Sequence, residues 1–562
     1  MTTLHIPGYP RMGARRELKF ALERHWRGDL TEQGLEQVAR ELRFRHWQQQ
    51  RDAGLTWVTV GDFAFYDHVL DHVELLGCAP GRFAFRGDEG SLERQFAMAR
   101  GTEREPALEM TKWFDTNYHY LVPELRPDTV FTENPARLLG QVREAREAGH
   151  PVKVVLVGPL TFLWLSKSQT SGFACLDLCD ALAATYARIL GRLSAAGVAW
   201  VQLDEPVLAL ELPDEWRSRF QAVYEALATG GPNILLASCF GGLGGNLEIV
   251  RQLPVQGLHV DATRAPDELL EVARALPPGA VLSAGVVDGR NVWRTDPDRV
   301  LAQILPLRQR LGARLWLSTS CSLLHVPLDL ELETDLDPEL YGWLAFARQK
   351  LDELRVLGRV LEHGEDCEAR ALEAARRAAQ ARRESARVRD AAVRSRVAAL
   401  DALADRRCAP YVQRHAAQRA RLDLPCLPTT TIGSFPQTHE IRSTRAAHRA
   451  GRLTDVQYRA YLQTEITRVI RQQESLGLDV LVHGEPERND MVQYFGEQLS
   501  GVLITRNGWV QQIRGQYTYC ASRLICHTCG RLSNGYTVPR IQRETVNRVR
   551  EQYPLILAAI VL

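Results

Sequence analysis

Two stretches of this chain repeat one another. GLTWVTVGDFAFYDH begins at Gly54 and GLDVLVHGEPERNDM begins at Gly477, so Gly61-Asp62 falls on Gly484-Glu485 and Asp67 on Asp490. Upstream, His25, Gly28, Leu30 and Thr31 fall on His448, Gly451, Leu453 and Thr454, and both sets lie 423 residues apart. GYP at 8–10 matches SFP at 434–436, with the loop length changed by three. Several matches in register and in order point to duplication of a domain. Whatever the first copy folds into, the second must begin to fold the same way. A length of 562 residues has room for more than one domain.

The first copy sets the fold class. From about residue 150, short runs rich in Val, Leu and Ile alternate with amphipathic stretches: VKVVLVGPL (152–160), AWVQLDEPVL (199–208), NILLASCF (233–240), GLHVDA (257–262), AVLSAGVVDG (280–289) and RLWLSTSCSL (314–323). Continuous apolar runs separated by helices predict parallel strands buried on both faces. Polar residues recur at the strand ends: Asp204-Glu205, His259-Asp261, Asp288, Ser320-Cys321. That placement suits an α/β fold of the (β/α)₈ TIM-barrel type, whose functional face lies at the C-terminal ends of its strands. A doubly wound open sheet is the alternative.

Residues 365–424 break the pattern. EDCEARALEAARRAAQARRESARVRDAAVRSRVAALDALADRR is rich in Ala and Arg and predicts a helical connector. Its arginines could contact RNA, but interleaved Asp and Glu favour a solvated helix face. Lys+Arg 69 against Asp+Glu 68 leaves a net charge of +1, so no partnership with nucleic acid or an anionic membrane is expected. MTTLHIPGYPRMG has no signal-peptide pattern, and PLILAAIVL is shorter than the roughly 20 residues of a membrane-spanning helix. Eleven scattered cysteines form no short disulfide framework. Together these features predict a cytoplasmic chain with reduced thiols.

The knot LVHGEPERND (481–490) crowds His483, Glu485, Glu487, Arg488 and Asp490 behind Leu481 and Val482, which look like the end of a buried strand. Ionisable groups at a strand end read as part of a binding pocket; a surface salt-bridge cluster is the alternative. His483 alone fits a satisfied buried histidine.

The longer motifs identify a family. GYPRMGARRELKFALERHW, VGDFAFYDHVL, EMTKWFDTNYHY, VQLDEP, GLHVD, SAGVVDGRNVWR, SCSLLHVPLDL, TTTIGSFPQT and LVHGEPERNDMVQYFGEQL together resemble cobalamin-independent methionine synthase, from residue 1 to about 511. The resemblance implies two (β/α)₈ barrels joined by a helical connector. Here these would be an N-terminal folate-tail-binding barrel at 1–364, a connector at 365–424, the first part of a catalytic barrel at 425–511, and an atypical tail at 512–562. It implies methyl transfer from 5-methyltetrahydropteroyltri-L-glutamate to L-homocysteine, with zinc and without cobalamin, by a monomer. Folate-tail contact carries over to Arg16, Glu17, Leu18, Lys19 and Lys112. The spacing of Arg15, Arg16 and Lys19 would place their charges on one helical face; by itself it reads as an ordinary charged helix start, and the resemblance favours the folate tail. Homocysteine binding carries over to Ile432, Gly433, Ser434 and Glu485, with Glu485 taking the substrate ammonium. A glycine at 433 lets backbone approach a ligand closely.

Several features depart from the family. Its zinc ligands, a His-x-Cys pair, a Glu and a further Cys, would fall beyond residue 562. A second copy as long as the first would run to roughly residue 768. In the tail, His527 and Cys529 of CHTCG have H-x-C spacing, but their flanks do not match and no distant Glu and Cys complete a tetrahedral set. In the first copy, LASCF (236–240) puts Ala237 where a histidine would be needed. Cys239, Cys321, His259 and Asp261 read better as groups packed at strand ends than as ligands. From Gln512 on there are seven Arg and no Lys, two Glu and no Asp, a shift that suggests a disrupted reading frame. The expectation is a truncated synthase without catalytic residues or metal ligands of its own. The alternative is a non-catalytic remnant whose first barrel binds folate polyglutamate or a protein partner.

Overall fold

The computed structural model describes residues 2–87, 90–401, 406–499, 501–508, 510–514, 517–521, 524–526 and 532–533. It separates into two compact units. One runs from Met1 to Glu384 and takes in Thr505–Arg523; the other holds Ser385–Ile504.

The first unit is a (β/α)₈ barrel. Its strands are β1 (Thr3–His5), β2 (Val58–Val60), β3 (Val152–Val157), β4 (Trp200–Asp204), β5 (Asn233–Ala237), β6 (Gly257–Val260), β7 (Val281–Val287) and β8 (Leu315–Thr319). They lie in the order β1-β8-β7-β6-β5-β4-β3-β2, and each described pairing is parallel. At the seam, the Thr56 N–H donates to the Leu4 carbonyl at 2.8 Å and the Leu4 N–H donates to Thr56 Oγ1 at 3.2 Å. These bonds bring the ends of the sheet together, so the open-sheet alternative does not apply. Trp57, Trp200 and Trp316 cluster at the start of the strands, with ring centroids 4.6–6.3 Å apart. The helix Ala347–His363 buries Leu351, Leu354, Leu357 and Val360 as one stripe. A Cβ on its Gly358 would come within 2.9 Å of Leu4.

The helix Ala369–Glu384 also belongs to this unit. Arg376 pairs with Asp298 at 2.8 Å and Arg383 with Asp296 at 2.7 Å, while the Arg382 guanidinium lies 3.9 Å from the Trp293 ring centre. The following helices, Ala391–Ala398 and Tyr411–Leu422, bury no residue.

The second unit reproduces the opening of the first. The helix Asp455–Ser475 is the counterpart of Glu32–Asp52 at the same offset, and both span 21 residues. Thr31 caps one through the Gly34 N–H, and Thr454 caps the other through the Gln457 N–H. The buried Gln50 accepts from the Thr59 N–H at 2.9 Å, and the buried Gln473 accepts from the Val482 N–H at 2.9 Å.

The expected strand through Leu481 and Val482 does not form. The segment meets TTTIG through the Val480 N–H to the Thr429 carbonyl (3.0 Å) and one parallel bridge, Ser434 to Gly484. Leu481 and Val482 are only half-buried. An extended segment with one neighbour lacks the sheet that makes a barrel strand stable. Beyond it, Val502–Ile504 pairs antiparallel with Leu524–Cys526, and Val510–Arg514 with Tyr517–Ala521.

Candidate functional site

The knot at 481–490 resolves into an ion-pair chain and a cap. Arg488 holds the Glu485 carboxylate, Nε to Oε2 at 3.0 Å, and also reaches Glu487 at 3.2 Å. Glu487 bonds His483 at 3.1 Å. Burial opposes the Glu487 charge, but the His483 hydrogen bond and the charges of His483 and Arg488 outweigh it, so its carboxyl stays below the usual range. Asp490 caps the helix Met491–Gly496 through the Gln493 N–H at 2.9 Å, as Asp67 caps His68–Leu75 through Leu70 at 3.0 Å. Arg445 braces the loop from beneath, donating to the Gln437 amide and the Pro486 carbonyl, each at 2.6 Å.

Three of the four homocysteine candidates meet around this loop. Gly433 has φ 122°, and a Cβ there would stand 3.2 Å from Glu485 Oε1. Ser434 bridges Gly484, and the Phe435 N–H donates to the Gly484 carbonyl at 2.9 Å. Glu485 itself is left-handed at φ 59°, a strained state for a residue with a side chain. The Ile432 side chain is fully exposed. The arrangement offers backbone groups and one carboxylate over a glycine, which suits a small zwitterion, although Arg488 already occupies the carboxylate.

The folate candidates lie in the first unit. Arg16, at φ 62°, precedes the helix Glu17–Trp26, so Arg15 and Arg16 do not share the expected helical face with Lys19; the Arg16 guanidinium sits 5.1 Å from the Phe20 ring centre. Glu17 pairs with Arg45 at 3.0 Å and accepts the Arg15 N–H at 2.9 Å. Lys19 pairs with Glu23 at 2.8 Å. Leu18 is fully buried, so its side chain is core and only its backbone is available to a ligand. Lys112 is exposed on the separate hairpin Met110–Lys112/His119–Leu121.

Sequence reasoning missed the polar interior of the barrel. Lys153, fully buried on β3, contacts His5 Nδ1 at 2.9 Å, the Ile6 carbonyl at 2.9 Å and Gln202 Oε1. His5 Nε2 meets Ser283 Oγ at 2.7 Å, and Ser283 meets His259 Nδ1 at 2.8 Å. Gln202 donates to Asp204 at 2.6 Å. Burial pulls Lys153 down to about 7, pushes Asp204 up to about 7 and lowers His259 to about 3. The signal was a lysine inside the otherwise apolar run VKVVLV, where an unpaired charge would be costly. Glu205, flagged as a strand-end group, is a structural acceptor. It takes the Leu160 and Thr161 N–H groups and the Thr161 and Tyr224 hydroxyls at 2.6–3.1 Å.

Zinc does not fit the described residues. His259 has both ring nitrogens engaged, the second with the Ser320 carbonyl at 3.4 Å. Asp261 is taken up by the Phe240, Thr263 and Arg264 N–H groups at 3.0–3.1 Å. Among the described residues no group of three His, Cys, Asp or Glu side chains is placed to hold a metal. His527 and Cys529 lie outside the described residues.

A (β/α)₈ barrel is followed by helices and a strand-end loop that repeat the barrel's own opening. Residues 3–312 match the family model "Cobalamin-independent synthase, N-terminal domain", and residues 427–523 match "Cobalamin-independent synthase, Catalytic domain". The second match runs past residue 511, where the recognisable motifs stop. The 5-methyltetrahydropteroyltriglutamate–homocysteine methyltransferase of Paraburkholderia xenovorans (strain LB400) is 52% identical over 517 residues, 91% of this chain and 67% of that protein. Those of Paraburkholderia phytofirmans and Actinobacillus pleuropneumoniae serotype 5b are 53% and 51% identical, each over 91% of this chain and over 67% and 68% of their own lengths. The chain belongs to the cobalamin-independent synthase family.

Proposed function

We propose that this chain serves methyl transfer from 5-methyltetrahydropteroyltri-L-glutamate to L-homocysteine, giving methionine. The observation that carries the reading is identity above 50% to methyltransferases of that name across 91% of the chain. In this reading Arg16, Glu17, Leu18, Lys19 and Lys112 hold the polyglutamate tail. Ile432, Gly433 and Ser434 present backbone to the amino acid, and Glu485 takes its ammonium once Arg488 shares the carboxylate. Charge supports the first assignment, since three cations suit an anionic tail. The approach of Gly433 to Glu485 supports the second.

No step is routed through zinc, because the described residues do not fit it. For the chain by itself we propose binding without turnover. Methyl transfer above a zinc-free control, abolished by a chelator, overturns that. The folate assignment is tested by comparing the triglutamate with the monoglutamate in calorimetry. The triglutamate should bind at least about tenfold more tightly, as two or three charge-assisted contacts allow. The combined Arg16→Ala, Lys19→Ala and Lys112→Ala variant should abolish the difference. Equal affinity for the two folates in the unaltered chain removes the assignment.

A further inference from the structure

We propose that Glu333 is a positioning residue for the folate tail: it clasps residues 505–508 onto the first barrel and so steadies the hairpin that carries Lys112. The inference rests on the folate reading for its ligand, while the clasp itself is read from hydrogen bonds.

Glu333 follows the turn Leu330–Leu332, between β8 and the helix Ala347–His363. That turn is fixed from the barrel side. Gln349 accepts the Leu330 N–H at 3.1 Å and donates to Asp329 at 2.9 Å, and the Glu333 N–H closes the turn onto the Leu330 carbonyl at 2.9 Å. Glu333 is only 4% exposed. Among the described residues, backbone rather than a cation holds its carboxylate: the Arg506 N–H donates to Oε2 at 2.9 Å and the Asn507 N–H to Oε1 at 2.6 Å. A buried carboxylate is costly unless its charge is taken up, and hydrogen bonds to a charged group are the strong ones.

The incoming segment is shaped to fit. Asn507 Nδ2 donates to the Leu332 carbonyl at 2.7 Å, and Arg506 pairs with Asp335. Thr505 and Val510 are buried on either side of the turn. A Cβ on Gly508 would stand 2.2 Å from Thr505 Oγ1 and 2.9 Å from its Cβ, so any side chain there would crowd the turn. Beyond the turn, the strand Val510–Arg514 lies against the hairpin strand His119–Leu121, where His119 pairs with Lys112. Asp67 holds that hairpin strand from the barrel side, through the Leu121 N–H and the Tyr118 hydroxyl, each at 3.0 Å. A two-stranded hairpin is marginal by itself, so what backs His119–Leu121 sets where Lys112 stands. Glu333 acts on Lys112 through this segment.

The test uses the full chain and two readouts. Hydrogen exchange and trypsin read the clasp: in Glu333→Ala, the amides of residues 110–121 should exchange, and the bond after Arg506 should be cut, at least about fivefold faster, while β3 and β4 keep their protection. Calorimetry reads the ligand: the preference for the triglutamate over the monoglutamate folate should fall at least about fivefold, with monoglutamate affinity unchanged. Damage to the barrel at large would weaken both folates. The losses in Glu333→Ala and Lys112→Ala should not add, since both act through one contact, whereas Arg16→Ala should add to either. Glu333→Gln keeps the shape of the side chain but turns an NH₂ group toward a backbone N–H, so it should behave like Glu333→Ala. If Glu333→Ala fails to fold, Gly508→Val opens the same clasp from the segment side and should give the same losses. Unchanged hairpin exchange in Glu333→Ala or Gly508→Val, losses that add with Lys112→Ala, or an intact clasp in Glu333→Gln would overturn the proposal. Equal affinity for the two folates in the unaltered chain removes the folate reading instead, and hairpin exchange alone then decides the clasp.

Discussion

The two copies share their local instructions and differ in what surrounds them. Glu32–Asp52 buries Leu35, Ala39, Leu42, Arg43, His46, Trp47 and Gln50, whereas Asp455–Ser475 buries only Val469 and Gln473. The second helix is not short of apolar residues: Leu462, Ile466 and Ile470 stand where Ala39, Arg43 and Trp47 stand in the first, yet all three are half-exposed. Both helices have the same length and equivalent Thr caps, because caps and helix propensity act within a few residues. The strands part company, because a strand needs neighbours on both sides. β2 pairs with β3 over three residues and is buried throughout. Its counterpart near Leu481 has one partner and no strand. Helices follow from sequence close at hand; barrel strands follow from the assembled sheet.

The largest expected effect tests that contrast directly. Limited proteolysis of the whole chain should cut within residues 385–504 at least about tenfold faster than within residues 2–363, since opening follows local stability. The surviving fragment should end between Gly364 and Leu422. Equal protection of both regions would mean that the second copy has a core as complete as the first.

The paired glutamines sharpen the contrast. Gln50→Ala leaves the buried Thr59 N–H without its partner and should destabilise the barrel by about 1–3 kcal/mol. Gln473→Ala removes the corresponding bond to Val482, but water can reach the half-buried segment. Its effect should stay below about 1 kcal/mol. Urea unfolding followed at the barrel and at the second unit separately checks both, and equal losses would show that the surroundings do not matter.

Much of this was legible beforehand. The repeat placed Thr454 and Asp490, and both are caps. The apolar runs at 152–160 and 199–208 became β3 and β4, each shortened where Gly158-Pro159 and Pro206 stop the ladder. The meeting of Gly433, Ser434 and Glu485 followed from the family motifs. The Arg488 grip on Glu485 did not, because nothing in ERND says which neighbour a carboxylate will choose. The Lys153 network was hidden for another reason: its members, His5, Lys153, Gln202, His259 and Ser283, come from five strands scattered over the first 287 residues.

That network gives the barrel a pH signature the second copy should lack. Lys153 is lowered to about 7 by burial, whereas an unfolded lysine titrates near 10.4. Between these values the unfolded chain binds more protons, so this group makes stability rise with pH. Over pH 7–8 this group alone should contribute a gain of about 1 kcal/mol, opposed by Asp71, Asp204 and Glu205, which burial raises to about 7 and which lose their protons over the same interval. Lys153→Met should therefore make the slope less positive than in the unaltered chain, whatever it does to stability at one pH. A slope of the same size in the variant would assign the proton elsewhere.

The smallest effect concerns the Glu485 cradle. Its carboxylate is partly solvent-exposed and already paired with Arg488, so an incoming ammonium replaces one ion pair with another. Exposed pairs contribute about 0–1 kcal/mol, and association itself costs at least about 4 kcal/mol. A few backbone contacts from Gly433 and Ser434 leave little surplus. Homocysteine should therefore bind no more tightly than about 1 mM, which corresponds to about −4 kcal/mol, with or without zinc. Glu485→Ala should change the stability of the second unit by less than about 1 kcal/mol. Arg488→Ala separates the two roles of the carboxylate. If Arg488 competes with the substrate, freeing Glu485 tightens homocysteine binding by a few-fold; if Arg488 orders the loop, the same change weakens it. Micromolar binding in the unaltered chain, lost in Glu485→Ala, would mean that the second copy closes around its ligand far more than Leu481 and Val482 indicate.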